Sequence, residues 1–282
     1  MLISEHSTAA LQEALASGQK DIYCQGLFLS ARWFVLSAAR GAGISLAVLP
    51  DKESAEYCAA DLYNLTEGDK VFYLPDSGKN AVRSNYKSSL GVQRTSAIGK
   101  IRTFEPGTVI VSYPEALEER LPSSSDALSP LLSLKAGDEI SHDEISSILS
   151  EAGFENVDFV SEPGQYTLRG GVVDIFSYSF NYPFRLSLFG NEIEKIYTFD
   201  TNTQLSKESV DKVEIYGDMA SDSDTEGLFI SDILPEDCIV WLDSSDSYRE
   251  REFFSRLSPF RKVYLETPLS AVKASPIRFD IS

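Results

Sequence analysis

The spacing of apolar residues changes several times along this chain, and each change marks an element. Leu11 and Leu15 stand one helical turn apart, behind Ser7, a residue type that caps helix starts, and ahead of Gly18, a residue type that ends them. A short strand is predicted over 21–26, then a helix over 30–42 with Trp33, Phe34 and Leu36 on its apolar sides. The run ISLAVL at 44–49 reads as a buried strand. A helix over 52–65 and a third strand over 71–74 follow. After a polar loop over 76–89 come a helix running to about Thr103, a strand over 108–112 and a short helix opened by Pro114. Strand–helix alternation of this kind predicts a parallel, right-handed, doubly wound sheet.

The pattern then breaks. PSSSD at 122–126 reads as a linker into a smaller α+β unit that ends near Tyr216. From Gly217 the β/α alternation resumes, with strands at 239–242 and 263–265 and a polar helix after Ser244. The expected fold class is α/β: a parallel-sheet domain (1–122 and 217–282) interrupted by an inserted module (123–216). Within the insert, Ser141 and Glu144 form a capping box, with Ile145, Ile148 and Leu149 facing inward and His142 exposed in the first turn.

The insert also carries the most informative alternation. A strand over 166–171 ends in a paired-glycine turn, a second covers 172–176, and an aromatic-rich connection leads to FRLSLF at 184–189. Side chains two apart share a sheet face, so Phe184, Leu186 and Leu188 should be buried, with Arg185, Ser187 and Phe189 opposite. An aromatic beside an arginine on the solvent side fits a surface that desolvates and orients a partner. The plainer reading tucks Phe189 under a neighbouring loop and leaves Arg185 in a surface ion pair.

Composition narrows the chemistry. The chain has 282 residues, 43% hydrophobic and 24% charged, and no apolar run approaching the ~20 residues that cross a bilayer. Cys24, Cys58 and Cys238 are widely spaced in apolar or helical settings, as expected of reduced core residues in a cytoplasmic protein, and lack zinc-ligand spacing. Asp and Glu outnumber Lys and Arg by 43 to 25, a net charge of −18, which argues against autonomous binding to a phosphate backbone. The acidic SDSDTE at 221–226 reads as a solvated loop. With only His6 and His142, no triad can be assembled and no catalytic residue is assigned.

The first strand-to-helix turn tests for nucleotide chemistry. A phosphate-binding loop needs G-x-x-x-x-G-K-[ST], whose amides cradle phosphates while the lysine and hydroxyl engage charge and magnesium. Here 26–33 reads GLFLSARW: Gly26 survives, Ala31 replaces the second glycine, Arg32 the lysine and Trp33 the hydroxyl residue. Phe28 and Leu29 make the loop apolar. It is therefore expected to be a degenerate, inactive nucleotide loop.

The stretch EPGQYTLRGGVVDIFSYSFNYPFRLSLFGNEIEKIYTFD at 162–200, with Gln204, closely resembles the UvrA-binding domain shared by UvrB and the bacterial transcription-repair coupling factor (Mfd). Together with PEAL at 114–117 and the degenerate loop, almost the whole chain resembles the N-terminal, UvrB-homologous region of that coupling factor. UvrB fits less well, because it keeps an intact phosphate loop and an aromatic hairpin that clamps DNA. Here only Tyr86 stands amid small and polar residues after Leu74. The resemblance implies a helicase-like α/β domain without a working ATPase, interrupted by a UvrA-binding domain. It implies that Arg169 and Arg185 pair with acidic groups on UvrA and that Phe189 supplies an anchor. It further implies a piece of a longer protein, in which a C-terminal motor uses ATP and magnesium and regions outside this chain bind RNA polymerase and double-stranded DNA. In that family a C-terminal domain masks the UvrA-binding surface. No cofactor is expected in the chain itself. The competing expectations are a nucleotide hydrolase with an atypical loop, a UvrB-like damage-binding protein, and a scaffold with no specific partner.

Overall fold

The structure, a computed structural model, describes residues 5–28, 30–41, 43–66, 70–77, 84–121, 129–180, 182–219, 227–243, 248, 250–265 and 276–279. The expected linker at 122–126, the acidic loop at 221–226, Leu29 and the segment directly after Ser244 lie outside these residues. The chain divides into two compact units: Met1–Asp76 with Lys100–Arg120 and Leu228–Ser282, and Ser77–Gly99 with Leu121–Gly227.

The first unit is built on a seven-stranded sheet. In spatial order its strands are Ile277–Arg278, Asp21–Gln25, Arg261–Tyr264, Ile239–Leu242, Ser45–Val48, Val109–Ser112 and Val71–Tyr73. Every neighbouring pair is parallel. Ser45–Val48, Val109–Ser112 and Ile239–Leu242 are buried at every position, which is why they read as continuous rather than alternating apolar runs. Leu36, Trp241 and Val263 belong to one core with Leu11 and Leu62 from the helices Glu5–Ala16 and Lys52–Leu65. Burying each such side chain contributes roughly 1.5–3 kcal/mol. Asp51 starts the Lys52–Leu65 helix by accepting a hydrogen bond from the Ser54 amide at 2.8 Å.

Three details differ from the sequence expectations. Ser7 is not a cap: it lies inside the helix Glu5–Ala16, where its hydroxyl donates to the Arg278 carbonyl at 2.6 Å. That bond ties the helix to an edge strand the sequence pattern did not signal. The second helix spans Ala31–Ala39 and buries Trp33, Val35 and Leu36, while Phe34 is exposed. Finally, the helix Ser84–Thr103 begins within the stretch expected to be a polar loop.

The second unit contains a six-stranded mixed sheet ordered Ser206–Val210, Glu192–Phe199, Phe184–Phe189, Val172–Ile175, Gln165–Arg169 and Glu155–Asn156. Only the last pair is parallel. A two-stranded antiparallel ribbon joins Lys212–Ile215 to Leu132–Lys135. The helix His142–Glu151 sends Ile145 and Leu149 into the core formed with Tyr166, Phe184, Leu186 and Leu188. Ser141 caps it, accepting from the Glu144 amide at 3.2 Å. His142 is half-buried rather than exposed, with Nε2 shielded and unpartnered.

Candidate docking face and nucleotide-like corner

The Phe184–Phe189 strand alternates strictly between the core and the opposite side, and Phe189 at its end is 78% exposed. Register fixes what lies beside it. Arg169 pairs with Val172 and Val172 with Ser187, while Asp174 pairs with both Thr167 and Arg185. Directly paired residues share a sheet face, so Arg169, Asp174, Arg185 and Phe189 all point away from the core. The turn between the first two strands is tight: the Leu188 amide donates to the Gly171 carbonyl at 2.7 Å, and a Cβ on Gly171 would sit 2.6 Å from the Leu188 carbonyl oxygen. Glycine at 171 is therefore a requirement of the sheet.

The two arginines play different parts. Arg185 is half-buried and satisfied internally. Its Nε and Nη2 donate to the two carboxylate oxygens of Asp174 at 2.7 and 2.8 Å, and Nη1 donates to the Gln204 carbonyl at 2.9 Å. Its guanidinium also lies 4.6 Å from the Phe199 ring centre. The Asp174 carboxylate bonds raise the arginine's pKa against the opposing effect of burial. Gln204 adopts the left-handed φ of 59° and donates its side-chain amide to the Val160 and Thr201 carbonyls at 3.2 and 2.8 Å. Arg185 therefore works as a clamp on the segment after Asp200, and its charge is already met by Asp174.

Arg169 is exposed. Its guanidinium stacks 4.3 Å from the ring centre of Phe159, itself 62% exposed, and has no ion-pair partner among the described residues. Neither Phe159 nor Asp174 was singled out from sequence. Asp174 had a readable signal, a carboxylate set among apolar strand residues, which demands a cation. Phe159 sits in a segment with no periodicity and left no such signal.

In the first unit, the corner at 26–33 has a different character. Gly26 has a φ of 87°, and a Cβ there would meet the Phe279 carbonyl oxygen at 2.3 Å. The Phe279 amide donates to Gln25 at 2.8 Å, so close approach of the edge segment accounts for this glycine. Ala31 and Trp33 are buried in the core. Arg32 is ion-paired to Asp243, just beyond the Ile239–Leu242 strand, and its guanidinium lies 5.1 Å from the Trp33 ring centre. Ser30 donates to Asp61 at 2.9 Å. The cavity there measures about 220 Å³ and includes Asp243 in its wall. That is below the roughly 300 Å³ at which small-molecule pockets begin, and Arg32, the cation in its wall, is already paired with Asp243.

Cys24, Cys58 and Cys238 are buried free thiols, and burial pushes all three pKa values up, Cys24 and Cys238 to about 12. Thiols held this firmly protonated are poor nucleophiles and metal ligands. Among the described residues no group of His, Cys, Asp or Glu is placed to hold a metal, and no helix is long and apolar enough to cross a membrane.

Residues 132–220 match the UvrB interaction domain family. The chain is 37% identical over 201 residues to the transcription-repair-coupling factor of Staphylococcus aureus (strain bovine RF122), covering 70% of this chain and 17% of that protein. It is 30% identical over 165 residues to the Bacillus subtilis protein of the same name, covering 57% and 14%, and 27% identical over 186 residues to that of Escherichia coli, covering 63% and 15%. The chain thus spans about a sixth of the length of these curated relatives.

Proposed function

We propose that this chain, related to the N-terminal, UvrB-homologous region of bacterial transcription-repair coupling factors, is a non-catalytic module that recruits UvrA to RNA polymerase stalled at a DNA lesion. The observation that carries the reading is the 78% exposure of Phe189 on a strand whose alternate residues are buried. A phenyl ring held in water by a rigid strand has little role in folding and is well suited to anchor a partner.

In this reading Phe189 enters a recess on UvrA, Arg169 meets a carboxylate there, and Arg185 holds the supporting segment in place through Asp174 and Gln204. The corner containing Gly26, Ala31, Arg32 and Trp33 retains the helicase-like position of a phosphate loop without its chemistry, and it binds no nucleotide. ATP and magnesium, RNA polymerase and double-stranded DNA are assigned to other parts of the full-length protein, and the setting is the cytoplasm.

Titration of purified UvrA against the chain and its Phe189→Ala variant tests the reading. The expected outcome is at least about tenfold weaker binding, with circular dichroism and melting temperature unchanged. Equal affinity in a well-folded variant would refute it.

A further inference from the structure

We propose that the docking face extends beyond Phe189 to Phe159, which acts with Arg169 as a single recognition unit for an acidic, apolar-lined site on UvrA. This proposal rests on the recruitment reading above. It begins from Phe159, whose 62% exposure has no purpose in the core, since the neighbouring Val160 is fully buried.

The segment around Phe159 is fixed at both sides. The Val157 amide donates to the Tyr166 carbonyl at 2.9 Å, and Val160 packs with Phe176 and Phe199 in a small cluster on which the Arg185 guanidinium rests. The Val160 carbonyl accepts from Gln204, whose own carbonyl accepts from Arg185. The Asp174–Arg185–Gln204–Val160 chain of bonds therefore props the residue that presents Phe159. Arg185 is a positioning residue for this ring.

Phe159 in turn organises Arg169. A guanidinium stacked at 4.3 Å has one face covered and its N–H edge free for a carboxylate, so less side-chain entropy is lost on binding. Two strand spacings, about 10 Å, separate the Arg169 strand from that of Phe189. Lys195 on the next strand is also exposed and, like Arg169, unpaired among the described residues. On a chain of net charge −18, two such cations, one on either side of the Phe189 strand, outnumber the one carboxylate paired with Phe189, Glu192, and select an acidic partner surface with apolar recesses.

A double-mutant cycle tests the proposal, with UvrA affinity measured for the wild-type chain, Phe159→Ala, Arg169→Ala and the double variant, and Phe189→Ala as reference. Phe159→Ala and Arg169→Ala should each weaken binding about tenfold, and the double variant should be scarcely weaker than the worse single one. Phe159→Trp, which keeps the stack, should bind like wild type. Unchanged affinity in Phe159→Ala beside a weakened Phe189→Ala would overturn this inference and leave the recruitment reading standing. Losses that multiply would refute the single unit. A wild-type chain that does not bind UvrA would end both.

Discussion

Arg32 and Arg169 occupy similar chemical settings with opposite outcomes. Each guanidinium lies over an aromatic ring, Trp33 at 5.1 Å and Phe159 at 4.3 Å. Around Arg32 the ring is buried and a carboxylate, Asp243, closes the pair. Around Arg169 the ring is exposed and no carboxylate is supplied by the described chain. The same residue types become structure when their partners lie within the fold, and stay available to another molecule when they do not. In the first unit the corner at 26–33 is a packed joint, with Ala31 and Trp33 in the core and Arg32 paired to Asp243. The second keeps polar and aromatic groups unspent on a rigid sheet.

The largest expected effect is on stability. Arg32→Ala should destabilise the chain by about 2 kcal/mol by removing the ion-pair partner of the mostly buried Asp243, with UvrA affinity unchanged; urea unfolding measures it. Asp174→Ala should cost slightly less in the same measurement, since Arg185 keeps some solvent and the Gln204 bond, but should also weaken UvrA binding by loosening the Phe159 segment. Arg169→Ala reverses the Arg32 pattern, weakening UvrA binding about tenfold, or about 1.4 kcal/mol, while stability changes by less than about 0.5 kcal/mol. Magnesium and ATP at millimolar concentration should leave the melting temperature where it was, whereas real binding at a hundredfold excess over Kd would add about 2.7 kcal/mol.

The last effect concerns the thiols and is silent below pH 9. Burial lifts Cys24 and Cys238 from 9.0 to about 12, so the folded state keeps protons that the unfolded state releases. Their contribution to stability is therefore present below pH 9 and falls as the pH rises toward 12. At pH 8 a thiol reagent should react with all three cysteines only after denaturation.

Much of the docking face was legible because a strand's two-residue period is a strong local signal: FRLSLF alone separates the buried Phe184, Leu186 and Leu188 from the outward Arg185 and Phe189. What that period cannot give is the partner of a side chain. Arg185 looks free in sequence, and only the pairing of two strands shows that Asp174 satisfies it. Phe159 was invisible because its segment makes contacts without repeating them. In the first unit, continuous apolar runs identified the central strands but not their order, which depends on crossovers between distant segments. The Ile277–Arg278 strand is too short to show a period, and without it the role of Ser7 could not be read. Gly26 marks the same limit from the other direction: sequence reads it as a motif position, whereas the contact that requires it is the Phe279 carbonyl.

Hydrogen–deuterium exchange on the chain with and without UvrA addresses both regions in one measurement. Binding should protect the segment around Phe159, the strand Gln165–Arg169 and the turn after Phe189, and leave 26–33 and the helix Lys52–Leu65 unchanged. Protection centred on the Arg32 corner, with the sheet face unaffected, would contradict the account.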